Sequence, residues 1–202
     1  MGFTLLILVF IFIGWFTYER HKVSRIEKSN TKDYWANENL ANSIRKKDIS
    51  QLDYIKIPIE SLPLIETQDE IVNKYQNELK RLSSLPILNL TGISNTDLKM
   101  EYGPANLNEL SEADSNFTSL VRCVNQLGNR YNELGDTDNA IKILEYGIEC
   151  NTDISNTYYL LAQLYIDTNQ ADKIQNLVDK AASLNSLSKN SIIKNLNEFI
   201  IF

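Results

Sequence analysis

VRCVNQLGNRYNELGDTDNAIKILEYGIECNTDISNTYYLLAQLYIDTNQADKIQNLVDKAASL (Val121–Leu184) reads as one helical hairpin written twice. Leu127, Gly128 and Tyr131 return 34 residues later as Leu161, Ala162 and Tyr165, and Ala140, Leu144 and Gly147 return at the same offset as Ile174, Val178 and Ala181. Phe117, Leu120, Val121, Val124, Leu127, Tyr131 and Leu134 recur at three- and four-residue spacing. That period predicts a helix starting near residues 111–115 and closed by Gly135, a residue free to turn left-handed. A second helix carries Ala140 to Ile148, a third Tyr158 to Tyr165 before Asn169, and a fourth Ile174 to Leu184. Small side chains at Gly128, Ala140, Gly147, Ala162 and Ala181 mark where two helix axes approach within about 8 to 10 Å. A last helix from Ser188, holding Ile192, Ile193, Leu196 and Phe199, reads as the closing helix that a repeat array needs, and Ile200, Ile201 and Phe202 add an apolar end.

An unbroken 34-residue offset in helical hairpins is the period of the tetratricopeptide repeat family, and residues 121–184 resemble about two of its repeats. The resemblance implies stacked helix pairs whose first helices line a groove for a protein or peptide. In that case Arg122, Asn125, Asn129, Asn132, Asn156, Tyr159, Gln163 and Ile166 line the groove, and amides there suit a peptide backbone without the desolvation cost of a charge. The bland alternative is a solvated helix face. The groove holds one basic residue, Arg122, and so lacks the lysines with which family members clamp a terminal carboxylate. Ile174 replaces the family's usual alanine, and Thr152 and Ser186 stand where proline is common. Two repeats are fewer than the three or so that stand alone, so the helices within residues 33–82 are expected to supply the missing buried face.

Upstream, Phe3 to Tyr18 (FTLLILVFIFIGWFTY) is apolar or weakly polar throughout. It is slightly shorter than the roughly 20 residues of a spanning helix. Trp15 and Tyr18 suit a headgroup region. No Lys or Arg precedes the run and no small-x-small site follows it, which favours a retained transmembrane anchor over a cleaved signal or a core helix. Arg20, Lys22, Arg25 and Lys28 follow directly, so the positive-inside rule places the folded part in the cytoplasm, with an extracytoplasmic domain as the alternative. The chain as a whole also resembles small single-span membrane proteins of Gram-positive anaerobes, a similarity that brings no activity with it.

The expected architecture is mainly α, with residues 1–18 as transmembrane anchor and 19–32 as juxtamembrane linker or continuing helix. Residues 33–110 form a helical and extended part that packs on the repeats, 111–187 two hairpins, and 188–202 the capping helix. Asp33 is the expected cap of a helix bearing Tyr34, Trp35, Leu40, Ala41 and Ile44. Pro58 and Pro63 remove backbone donors between residues 49 and 65, which predicts an extended segment. Thr67-Gln68-Asp69-Glu70 has capping-box spacing before a helix bearing Ile71, Val72, Tyr75, Leu79 and Leu82. Residues 87–110 read as loops around a short helix near Thr96 to Tyr102.

With 202 residues, a net charge of −6 and the basic residues bunched before Lys47, the distal part carries no basic face, so nucleic acid is excluded as the expected partner. The one histidine, His21, lies beside the apolar run, which leaves no Ser-His-Asp set, no HExxH and no metal cluster. Neither an enzyme nor a cofactor is expected. Cys123 and Cys150 have no metal spacing and are expected as buried thiols, with a disulfide as the alternative. The functional expectation is a membrane-tethered interaction module, adaptor or scaffold, and the alternative is a structural subunit of a membrane-associated assembly.

Overall fold

The computed structural model describes residues 2–200, with side chains for all of them except 2–7, 9 and 24–30. It is mainly α: α1 (Gly2–Ser43), α2 (Glu70–Leu82), α3 (Asn95–Tyr102), α4 (Leu107–Glu133), α5 (Thr137–Glu149), α6 (Ser155–Asp167), α7 (Ile174–Ala182) and α8 (Lys189–Ile200). Among the described residues there is no strand. The chain divides into two compact units, Met1–Lys47 with Ser94–Leu107, and Asp48–Ile93 with Asn108–Phe202.

In the first unit α1 is continuous. Residues 19–32 contain neither Gly nor Pro, so nothing breaks the hydrogen-bond ladder, and the expected linker is helix. Asp33 is therefore interior and caps nothing. The far end of α1 holds α3 through Glu38, which accepts from the Thr96 hydroxyl (2.8 Å) and pairs with Lys99. Lys99 and Thr96 together hold the Glu38 carboxyl below its usual range. Gly103 closes α3 at φ +85, and a Cβ there would meet the Arg45 carbonyl oxygen at 2.6 Å. Among the described residues no helix is long and apolar enough to cross a membrane. The expected span over residues 3–18 lies partly outside them, since the side chains of 3–7 and 9 are not described, and Ile201 and Phe202 lie wholly outside.

The second unit is organised by the hairpins. Gly128 on α4 lies against Leu144 on α5, where a Cβ would fall 2.5 Å from Leu144 Cδ2, while Gly147 on α5 lies against Val124 on α4 at 2.9 Å. Each helix thus offers a hollow to the other's bulky side chain. Ala140, Ala162 and Ala181 are fully buried, and Ile174 is accommodated in the same core. The turns at Gly135 and Asn169 close as expected, both with positive φ, and Asn151, after α5, has positive φ as well. A short 3-10 turn at Ala171–Lys173 precedes α7. α8 begins 34 residues after α6 and packs on α6 and α7, so it stands in phase with the first helices of the two hairpins.

Two local expectations are corrected. α2 is capped by Asp69 and not Thr67: Asp69 Oδ1 accepts from the Val72 amide (2.9 Å), while Thr67 Oγ1 accepts from Asp69 N (3.1 Å). α4 starts at Leu107, because the 3-10 turn at Pro104–Asn106 runs straight into it. Cys123 and Cys150 are free and buried, as expected, and the alternative of a disulfide is not realised. Within this unit it is α2, with the segment at Pro63, that packs on α4. Gln76 Nε2 donates to Tyr131 Oη (3.0 Å), Tyr131 Oη donates to the Pro63 carbonyl, and Cys123 Sγ donates to the Tyr75 carbonyl (3.1 Å).

Asp69 also links α2 to α4, since its Oδ2 accepts from the Arg130 guanidinium. The guanidinium first, and the Val72 amide second, hold the Asp69 carboxyl below 3.8. A carboxyl depressed on folding adds stability that is fully present above its unfolded value and lost as pH falls through its folded one. In a pH series of urea unfolding, wild type should exceed Asp69→Asn at neutral pH, and the gap should close below pH 3.8. A gap unchanged into strong acid would remove the Asp69 charge from the account.

Candidate functional site

The first helices of the hairpins, α4 and α6, carry every expected groove residue, and the offset of 34 sets them in rungs. Arg122 precedes Asn156, Asn125 precedes Tyr159, Asn129 precedes Gln163, and Asn132 precedes Ile166. Arg122, Asn132, Asn156, Gln163 and Ile166 are exposed, whereas Asn129 and Tyr159 are half-buried. Asn125 is different, being only 7% exposed.

Burial gives Asn125 a structural role. Its Oδ1 accepts from Asn156 Nδ2 (3.0 Å) and from the buried Thr157 hydroxyl (3.2 Å). Asn156 Nδ2 also donates to Asn129 Oδ1 (3.2 Å), and Asn129 Nδ2 donates to the Asn125 carbonyl. Three of the expected ligand-binding amides thus form a ladder that ties α4 to α6. Part of their hydrogen-bonding capacity is spent on the stack itself. The others act separately: Gln163 Nε2 donates to Asp167 on its own helix (2.9 Å).

Tyr159 engages α8, a contact that the reading of the sequence missed. Asn195 Nδ2 donates to Tyr159 Oη (2.7 Å), which donates weakly to the Ser191 carbonyl (3.4 Å). The signal was in the chain. Continuing the offset takes Tyr158 to Ile192, Tyr165 to Phe199 and Gln163 to Asn197, so the amide row Asn129, Gln163, Asn197 runs over three helices.

Titratable groups do not converge on this face. Among the described residues no group of three or more His, Cys, Asp or Glu side chains is placed to hold a metal ion. A separate cleft of about 410 Å³ lies beside α5 and α7, and its own charges occupy it: Tyr165 Oη donates to Glu145 (2.7 Å), and Lys173 Nζ reaches both Glu145 (3.3 Å) and the Tyr165 ring. Burial pushes the Cys123 thiol up to about 12 and the Cys150 thiol up to about 11, which keeps both largely in the less nucleophilic thiol form in the folded chain. The face formed by these residues offers amide donors and acceptors, the Arg122 guanidinium and an exposed Ile166.

No protein family, curated protein or solved structure matches the chain.

Removing Asn125 takes the acceptor from a buried Thr157 hydroxyl, and a buried group left unpaired costs about 1 to 3 kcal/mol. Denaturant unfolding should show that loss for Asn125→Ala, and a change within about 0.5 kcal/mol for the exposed Asn132→Ala. Equal effects would mean that the ladder does not hold the hairpins.

Proposed function

We propose that the protein is a membrane-tethered, non-enzymatic interaction module, an adaptor or scaffold, whose tetratricopeptide-like hairpins present a polar groove to a protein or peptide. The observation that carries the reading is that Arg122 and Asn132 on α4 and Asn156 and Gln163 on α6 are exposed on successive first helices, with Arg122 and Asn156 one offset apart and Gln163 one offset from the half-buried Asn129. A largely polar face that continues from one first helix to the next suits an extended chain laid across it.

Support for the tether comes from the exposure pattern of α1. Phe10, Ile11, Phe12, Ile13, Trp15, Phe16 and Tyr18 are all exposed. Successive helical residues turn by about 100°, so this apolar surface wraps the whole helix. A helix apolar on every side suits lipid, whereas packing on a globule would cover one stripe. With 42 residues the helix is about 63 Å long, so residues 19–43 would stand out from the bilayer as a rod of about 37 Å. The basic flank favours a cytoplasmic domain, and an extracytoplasmic one is the alternative.

A second reading, a permanent subunit of a membrane assembly, is favoured by Leu187 and Ile200, apolar side chains exposed at either end of α8. Retention of a stoichiometric partner through high salt in mild detergent selects it over the adaptor.

Two measurements test the proposal. The full chain should float with liposomes and resist high-salt extraction, and deletion of residues 1–18 should abolish both. A full chain that stays in the aqueous phase would contradict the tether. Doubly substituted Asn132→Ala/Gln163→Ala should lose the proteins co-purified by wild type while keeping its unfolding midpoint, and an unchanged set of partners would contradict the groove.

A further inference from the structure

Residues 86–93 run from the end of the α2 segment across both hairpins, and the two halves of this stretch are held differently. The first half is seated along α4. Asn116 Nδ2 donates to the Pro86 carbonyl (2.9 Å), the Leu88 amide to Ala113 O (3.2 Å) and the Leu90 amide to Asp114 Oδ1 (3.0 Å), with Ile87 and Leu88 buried. Beyond Leu90 the chain crosses the turns that end α5 and α7. Asn89 Nδ2 donates to the carbonyl of Asn151 (3.3 Å), and Asn185 Nδ2 donates to the carbonyl of Thr91 (3.4 Å). Both are long for amide hydrogen bonds, whose usual separation is about 2.9 to 3.0 Å.

Gly92 makes the crossing possible. Its φ is +82, and a Cβ there would lie 2.4 Å from the Asn185 carbonyl oxygen, so the strand of chain touches the second turn backbone to backbone. Open clefts of about 440 Å³ and 700 Å³ flank this half, lined by Thr91, Asp153 and Ser186 on both sides. The two turns are themselves joined, since Ser186 Oγ donates to Asp153 Oδ2 (2.7 Å).

We propose that residues 86–93 are a releasable strap that sets the distance between the successive turns of the hairpins. In a stack of helix pairs the rotation from one pair to the next fixes twist and groove width, and a tie across the turns fixes that rotation. Residues 86–88 are the fixed end. Residues 91–93 are the free end, which lifts when the contacts at Asn151 and Asn185 open and lets α6, α7 and α8 rotate against α4 and α5. The strap needs no partner and stands whether or not the groove binds a peptide.

The native thiols report on it. Cys150 is buried beside the Asn151 anchor, and Cys123 is buried under α2, away from the strap. In the full chain in mild detergent, Gly92→Ala places a side chain at positive φ and against a backbone oxygen, so maleimide labelling of Cys150 should accelerate about tenfold. Cys123 labelling should be unchanged. Asn89→Ala, which removes one anchor without touching the backbone, should shift Cys150 in the same direction by less, and it keeps the test available if Gly92→Ala does not fold. Cys150 labelling at the wild-type rate in Asn89→Ala, and in Gly92→Ala where it folds, overturns the strap. Equal acceleration of both thiols overturns it too, because that is general loosening.

Discussion

The close approach of α4 and α5 depends on two missing side chains. At Gly128 the hollow receives Leu144, and at Gly147 the hollow receives Val124. Two helices that interlock in this way hold their axes at contact distance over several turns, and the bulky residues gain dispersion contacts that a wider spacing would lose. Gly147 also touches Thr157 of α6, where a Cβ would be 3.3 Å from Thr157 Cγ2. The same small residue that brings α4 and α5 together therefore positions the next hairpin, and Thr157 in turn bonds back to Asn125 on α4.

A short repeat array exposes apolar faces at its ends, and this chain closes each end differently. At the start, α2 occupies the place that a preceding second helix would take. Tyr131 bonds to Gln76 and Pro63 there, as its counterpart Tyr165 bonds to Glu145 of α5 one repeat later. At the other end α8 continues the phase, but Leu196 stands where Gly128 and Ala162 stood. That leucine is fully buried in the same core as the hairpins. One buried core, running from Ile57 to Leu196, results.

The hairpins were legible because a regular offset of small and bulky residues has few other physical causes. Positive-φ turns at Gly135 and Asn169 were legible because Gly and Asn tolerate the left-handed region. What failed was long-range or graded. Residues 19–32 are polar, yet polarity does not end a helix in the absence of Gly, Pro or a cap. Thr67 and Asp69 are both good cap residues two positions apart, and the choice fell to Asp69 because Arg130, 61 residues away, holds its other oxygen. In the groove, Asn125 and Asn132 look alike in the sequence. They differ because Asn125 meets Thr157 and Asn156 across the helix interface, partners 32 and 31 residues distant. α8 was expected as the closing helix, and its part in the amide row, through Asn197, becomes visible only once α8 is seen in phase with α6.

The interlock between α4 and α5 is the claim on which the rest stands, and a double-mutant cycle on Gly128 and Leu144 measures it most directly. Gly128→Val alone should be strongly destabilising, and adding Leu144→Ala should recover part of that loss because the isobutyl group no longer competes for the hollow. The account predicts a coupling energy of about 1 kcal/mol or more between the two positions. Losses that add to within about 0.5 kcal/mol would show that the two residues do not meet, and would contradict the stacking on which this structure is built.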